Sequence, residues 1–285
     1  MKILVTGASG FTGIYLLDEL RSRKFSPLPL KSNLLDVKNL RDELKYINPD
    51  FVFHLAGLSH ITAHDAENIY LVNAVGSHNL VTAICELCTN TKTILLASTS
   101  YVYAESVKKI SETDPVAPDT HYAMSKLSME FLCKNFSERI NFITTRAFNY
   151  TGIGQNENFF IPKLIRKFQE KSESIEVGNI EVEREFNDVR WVVSVLINLM
   201  ETTSKTETFN ICTGTTHKLT NVVQTISQLT NHYPKILISE NLTRKNEKTK
   251  ICGDPSKLFA HLNAHLKFPS APKLESTIKH MLSQK

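Results

Sequence analysis

Between residues 6 and 13 the chain reads TGASGFTG, which sets Gly7, Gly10 and Gly13 between a short apolar strand, KILVTG (2–7), and a segment of helical periodicity over 12–23. Each glycine has its own use. Gly7 permits a tight turn, Gly10 lets backbone approach a pyrophosphate, and Gly13 lets the helix pack closely on the strand. The helix start then aims unpaired N–H groups and a positive dipole end at an anion. A glycine loop in this context predicts a dinucleotide-binding unit, with Ser9, Phe11 and Thr12 beside the glycines around the cofactor.

The pattern that follows alternates. SPLPL (26–30) reads as a short second strand, demoted to an edge by its prolines. VKNLRDELKYI (37–47) is an amphipathic helix and DFVFHLAG (50–57) a strand. A long helix over 67–88, a strand over 91–99, a helix over 121–136 and a strand over 140–148 complete the first half. Such alternation predicts an α/β fold, a Rossmann-type doubly wound parallel sheet. After about residue 150 the pattern loosens into a loop, a helix at 161–171, two short strands, two further helices and a Pro-containing tail. The expected organisation is a dinucleotide-binding domain over 1–150 and a smaller substrate-binding lobe over 151–285, with segments near 178–212 returning to the main sheet.

At 285 residues the chain can bury a large core. Its net charge of +4, from 33 basic and 29 acidic side chains, is too mild to argue for nucleic acid or a membrane surface. The clusters RSRK (21–24) and TRKNEKTK (243–250) read as solvated faces. No apolar run reaches membrane-spanning length and there is no secretory signal, so a cytoplasmic protein is expected. Cys85 and Cys88 form a C-x-x-C inside a helical pattern with no second Cys/His pair at metal spacing, so no metal site is expected.

Two segments carry chemistry. ASTSYVYAE (97–105) crowds Ser98, Thr99, Ser100, Tyr101 and Tyr103 at the end of an apolar strand. HYAMSK (121–126) places Tyr122 and Lys126 four apart, on one helix face. An ammonium beside a phenol favours phenolate, so Lys126 is expected to lower the Tyr122 pKa toward working pH. Tyr122 can then exchange a proton with a ketone or alcohol oxygen.

With its G-x-x-G-x-x-G loop, FHLAG (53–57), LVNAVGSHNL (71–80) and Tyr122-x-x-x-Lys126, the chain resembles the extended short-chain dehydrogenase/reductases, the NAD-dependent epimerase/dehydratase family. The resemblance implies that Leu55, Ala56, Gly57 and Asn73 line the cofactor, and that Lys126 also holds the nicotinamide ribose. It selects Thr99, four residues before Tyr103, as the third catalytic group, with Ser100 second; Tyr101 and Tyr103 are expected to pack beside the pocket. After the second strand no carboxylate stands ready for a ribose 2′-hydroxyl. Lys31 suits a 2′-phosphate, so NADP(H) is favoured over NAD(H), with Asn33 and Leu34 near adenine.

The second half resembles the GDP-mannose 4,6-dehydratase/GDP-6-deoxy-D-mannose reductase subgroup in TRAFNYTGIGQ (145–155), FFIPKLI (159–165) and VGNIEVEREFNDVRWVV (177–193). That implies a nucleotide-diphosphate sugar held by Asn149, Lys163, Val177, Arg184, Arg244 and Glu247. Trp191 and Glu185 each replace an Asp of the pattern. Dehydratases of the family carry a carboxylate one or two residues after the catalytic hydroxyl, where this chain has Ser100 and Tyr101. The resemblance therefore implies an NAD(P)H-dependent reductase of a nucleotide-linked 4-keto-6-deoxy sugar, in surface-polysaccharide sugar biosynthesis. GDP-4-keto-6-deoxy-D-mannose, giving GDP-D-rhamnose, is the favoured substrate; a GDP-4-keto heptose and a dTDP-4-keto-6-deoxy sugar are open. A nucleotide-sugar 4-epimerase and a non-catalytic dinucleotide-binding regulatory protein are the alternatives. Homodimerisation through the helices at 67–88 and 121–136 is also implied.

Overall fold

The computed structural model describes residues 1–59, 66–242, 247–265 and 270–283. In the first half β1 (Lys2–Thr6), α1 (Phe11–Ser22), β2 (Ser26–Pro29), α2 (Val37–Ile47) and β3 (Phe51–His54) alternate. Then α3 (Ala66–Tyr70) passes through a π-helical turn at Leu71–Gly76 into α4 (Ser77–Leu87), followed by β4 (Thr93–Thr99), α5 (His121–Lys134) and β5 (Asn141–Ala147). The second half holds β6 (Tyr150–Thr151), α6 (Phe160–Gln169), β7 (Ser174–Val177), β8 (Glu183–Arg184), β9 (Asn187–Asp188), α7 (Val189–Thr202) and β10 (Glu207–Ile211). It ends with β11 (His217–Lys218), α8 (Leu219–Thr230), β12 (Lys235–Ile238), β13 (Lys250–Ile251), α9 (Ser256–His265) and α10 (Leu274–Leu282).

Six strands form one parallel sheet in the order β2-β1-β3-β4-β5-β10. The Pro-containing β2 lies at its edge, where missing N–H donors break no ladder. Alternate strand residues feed two cores. Leu4, Val52 and Ile94 face α2, α4 and α5 with Leu40, Leu44, Leu80, Ile84 and Met129. Ile3, Val5, Phe53 and Leu95 face α1, α7 and α9 with Leu16, Leu20, Val192, Leu196 and Leu258. Burying each such side chain contributes roughly 1.5–3 kcal/mol, so the sheet is held from both faces. Trp191 belongs to the second of these cores.

The remaining second-half elements build a smaller lobe. Its core joins α6, α8 and α10 through Leu164, Phe168, Val222, Ile226 and Ile278. Two-residue strands are too short to show a period-two pattern in sequence, which is why β6, β8, β9, β11 and β13 were not expected. The tail, expected to be irregular, instead forms α9 and α10, docked by Leu258 and Leu262 on the main core and by Leu274, Ile278 and Met281 on the lobe.

Candidate active site

The register aligns Thr6 with His54, His54 with Leu96 and Thr99 with Ala147. The segments after β1, β3, β4 and β5 therefore leave the sheet at one edge. There the chain reverses direction across β1, the crevice where such sheets take ligands.

The glycine loop fits a pyrophosphate. Gly7 adopts φ +67°, and a Cβ on Gly13 would stand 2.2 Å from the Gly7 carbonyl oxygen. Gly10 starts α1 with no side-chain cap, and no acidic residue occupies the first turn. The N–H groups of that turn are thus left to an anion. Ser9 is exposed, while Phe11 and Thr12 are half-buried.

The Leu30 N–H donates to the Val5 carbonyl (2.9 Å), which brings the next residues beside the loop. Lys31 and Asn33 are exposed there and Leu34 is buried. Asn33 Oδ1 accepts from the Leu35 N–H (2.9 Å), which turns the chain into α2. Sequence reading found no carboxylate after the second strand, but the fold supplies one. Glu43, from α2, accepts from the Lys31 N–H (3.0 Å), the Ser32 N–H (2.7 Å) and the Ser32 hydroxyl (2.5 Å). Burial opposes its charge, but these bonds and the Lys31 ammonium hold its carboxyl below the usual range.

On α5, Thr120 caps the helix by accepting from the Ala123 N–H (3.1 Å), which fixes Tyr122 in the first turn. Lys126 is buried and donates from Nζ to the Ala97 carbonyl (2.8 Å). A Cβ added to Gly57 would stand 2.9 Å from that Nζ, so the ammonium lies against the loop after β3. Burial pushes Lys126 down to about 8, opposed by Glu130.

Tyr122 departs from expectation. Burial pushes its phenol above the ordinary value, Tyr150 and Tyr101 add to this, and a hydrogen bond with Thr99 pulls the other way. The Lys126 ammonium is directed at Ala97 and Gly57 and does not make Tyr122 a phenolate. Tyr122 is held as a neutral acid.

Thr99 and Tyr122 meet as expected. Ser100 Oγ is also buried and finds no hydrogen-bond partner among the described residues. Ser98 donates to Glu130, which is ion-paired with Arg146 (2.7 Å). Tyr103 is not a pocket wall. It is fully buried, with the Arg146 guanidinium 4.7 Å above its ring and its hydroxyl donating to Asn210 Oδ1 (2.7 Å).

Asn73 is not a groove residue either. It is fully buried in the π-helical turn, where its Oδ1 accepts from the Leu58 N–H (2.7 Å) and its Nδ2 donates to the Leu58 carbonyl and to Ser125 Oγ (2.9 and 3.0 Å). It fastens the loop after β3 to α5.

Behind Asn73 lies a chain of buried hydrogen bonds. Ser77 Oγ donates to the Asn73 carbonyl (2.6 Å), so it must accept from His54 Nε2 (2.7 Å). His54 Nδ1 then accepts from Thr6 Oγ1 (2.7 Å), which itself accepts from the Ala56 N–H (3.1 Å). Burial, with Lys126 nearby, pushes His54 down to about 3. An unfolded chain would titrate there near 6.5. Between those values the unfolded state binds a proton that the folded state does not, so stability falls as pH drops through the window. The slope from this group is at most about 1.4 kcal/mol per pH unit. Thermal unfolding from pH 7 to pH 4 checks this against His54→Gln, which keeps one acceptor and one donor; the variant's loss is expected to be shallower.

The sugar-side residues are less uniform. Asn149 is half-buried at the crevice and its carbonyl accepts from the Asn187 N–H (2.9 Å). Lys163 is half-buried on α6. Val177, expected to touch the nucleotide sugar, is buried in the lobe core with Ile175 and Phe168, because alternate residues of β7 face inward. Arg184 and Glu247, expected on separate parts of the ligand, face each other with Nη2 and Oε1 3.4 Å apart. Their side chains are 6% and 17% exposed, so removing Arg184 would strand a largely buried carboxylate at a cost of about 3 kcal/mol or more. Arg244 lies outside the described residues. Glu185 accepts from the N–H groups of Gly253 (2.6 Å) and Thr213 (2.9 Å), a structural tie.

Sequence reading missed Tyr150 and Glu43. Tyr150 stands directly after Asn149 in the quoted TRAFNYTGIGQ, which was the available signal; its hydroxyl is 2.8 Å from Thr12 Oγ1.

The model of the family described as GDP-mannose 4,6 dehydratase matches residues 28–281. This chain belongs to the GDP-mannose 4,6-dehydratase family. Over 99% of its length and 98% of the relative's, it is 33% identical to the GDP-6-deoxy-D-talose 4-dehydrogenase of Aggregatibacter actinomycetemcomitans. It is 28% identical to the GDP-6-deoxy-D-mannose reductase of Pseudomonas aeruginosa, over 90% of this chain and 89% of that one. The structure of RMD from Pseudomonas aeruginosa complexed with NADPH superposes with a TM-score of 0.90 at 26% identity, covering 99% of this chain and 97% of that one. Members of the GDP-mannose 4,6-dehydratase family such as these support an NAD(P)-dependent enzyme that modifies a nucleotide sugar.

Proposed function

We propose that the chain is an NAD(P)H-dependent reductase of a nucleotide-linked 4-keto-6-deoxy sugar. One observation carries this reading. Tyr122 is hydrogen-bonded to Thr99 and Lys126 reaches the loop after β3, while Ser100 and Tyr101 stand where a dehydratase needs a carboxylate. Such a set can move one proton at one oxygen.

A bound reduced nicotinamide supplies the hydride for the carbonyl carbon. Thr99 orients the carbonyl oxygen and Tyr122, held neutral, donates the proton that makes the alcohol. Lys126, reaching the loop after β3, would hold the ribose, and the phenolate left on Tyr122 regains its proton from solvent. Asn149, Lys163 and the Arg184–Glu247 pair are the proposed grip on the nucleotide. NADPH is the favoured reductant: exposed Lys31 suits a 2′-phosphate, and Glu43 is taken up by backbone N–H groups.

The two relatives sharpen the substrate. 6-Deoxytalose and 6-deoxymannose differ only at C4, so oxidation of either at that carbon gives one and the same 4-keto sugar. GDP-4-keto-6-deoxy-D-mannose is therefore the proposed substrate, with GDP-D-rhamnose or its C4 epimer as product. Five free thiols suit the cytoplasm. Exposed Leu71, Val75, Met124 and Phe131 offer the face a homodimer would cover.

The test offers GDP- and dTDP-4-keto-6-deoxy sugars with NADPH or NADH, follows nicotinamide absorbance, and assigns C4 of the product by NMR. Stoichiometric consumption of NADPH with the GDP sugar is expected. No consumption with any keto sugar sinks the reading. Interconversion of C4 epimers without added reductant would replace it with an epimerase.

A further inference from the structure

Tyr150 sits where three parts of the site meet, and none of the motifs gave it a role. It forms β6 with Thr151 and is fixed from several sides. Its ring stacks on Phe11 (centroids 6.0 Å apart, 11° between planes). Its carbonyl accepts from Gln155 Nε2 (3.1 Å), and its strand pairs with β9. Its hydroxyl is 2.8 Å from Thr12 Oγ1.

Thr12 is the second residue of α1, in the turn whose N–H groups are left to an anion. One of the two hydroxyls must donate to the other. Either hydroxyl could donate; a phenol is the more acidic of the two, which favours donation by Tyr150 and leaves the Thr12 proton for a phosphate oxygen. We propose that Tyr150 is a positioning residue of the phosphate loop: held by its stack on Phe11, it turns the Thr12 proton toward the dinucleotide. The inference rests on the dinucleotide-dependent reading above, whatever the sugar.

The test is a double-mutant cycle of Tyr150→Phe and Thr12→Val. Phenylalanine keeps the stack on Phe11 and removes only the hydroxyl. The dissociation constant of NADPH is read from nicotinamide fluorescence without any sugar. Each single change should weaken binding roughly three- to tenfold, and the double change should weaken it no more than the larger single one, because both remove the same bond. Wild-type affinity in Tyr150→Phe or additive losses in the cycle would overturn the inference. A wild type that binds NADPH yet reduces no keto sugar sinks the proposed function alone and leaves the binding cycle to be read.

Discussion

Tyr122→Phe should lower keto-sugar reduction about a hundred- to ten-thousand-fold, the range for loss of a positioned general acid. The size follows from the inventory of protons. Thr99 is an aliphatic hydroxyl at the end of β4, and the Lys126 ammonium is directed at the Ala97 carbonyl and the Gly57 loop. Tyr122 combines a phenolic proton with a hydrogen bond to Thr99. The fold should not notice the change. α5 is started by Thr120, and the apolar anchors of that helix are Ala123, Met129 and Cys133, so the melting temperature should stay within a few degrees of wild type. Steady-state kinetics beside thermal unfolding separate the two effects. A loss under tenfold would remove Tyr122 from the chemistry.

Gly13→Ala should act on both fold and cofactor. The new Cβ would fall 2.2 Å from the Gly7 carbonyl oxygen and 2.8 Å from two backbone atoms of Ala8. Backbone cannot swing aside as a side chain can, so α1 must lift from the loop. Overpacking of this kind costs about 1–3 kcal/mol, or roughly 2–12 °C of melting temperature in a chain of this size. The lifted helix also takes its N–H groups away from the pyrophosphate, so dinucleotide affinity should fall at least tenfold. Gly10→Ala is the control for stability alone, since its Cβ would meet the Gly7 oxygen at 3.2 Å while facing the pyrophosphate side of the loop. Fluorescence titration and calorimetry of both variants check the ranking. Equal behaviour of the two would mean that helix–strand closeness is not what Gly13 provides.

The parts of the site legible in the sequence were those whose geometry is local. Gly7 to Gly13 span one turn, and Tyr122 to Lys126 one helical step, so spacing alone put them on the right surfaces. The register of parallel strands then brought Thr99 to the same edge. Where partners come from distant elements, the sequence misled. No carboxylate was read after the second strand because Glu43, on a helix twelve residues beyond Lys31, was not seen to fold back onto that backbone. Arg184 and Glu247 each looked available to a ligand, although β8 and β13 lie side by side and set them against each other. Tyr103 read as packing beside the pocket, but Asn210 on β10 gives its hydroxyl a buried partner. The Tyr122 acidity failed for a related reason: four residues on a helix fix a shared face, not the direction in which a lysine reaches.

β10 has a consequence for how the molecule is made. The sixth strand of the main sheet comes from residues 207–211, after β6 to β9, α6 and α7 have already been laid down. A chain that stops near residue 150 has the three loop glycines, Thr99, Tyr122 and Lys126, yet ends with β5 as an open edge, its N–H and C=O groups unpaired and inviting intermolecular pairing. It also lacks α7, whose Val192, Val195 and Leu196 cover one face of the sheet. A chain cut near residue 150 is therefore expected to aggregate through that seam, which residues 207–211 otherwise seal, and the two halves share one sheet.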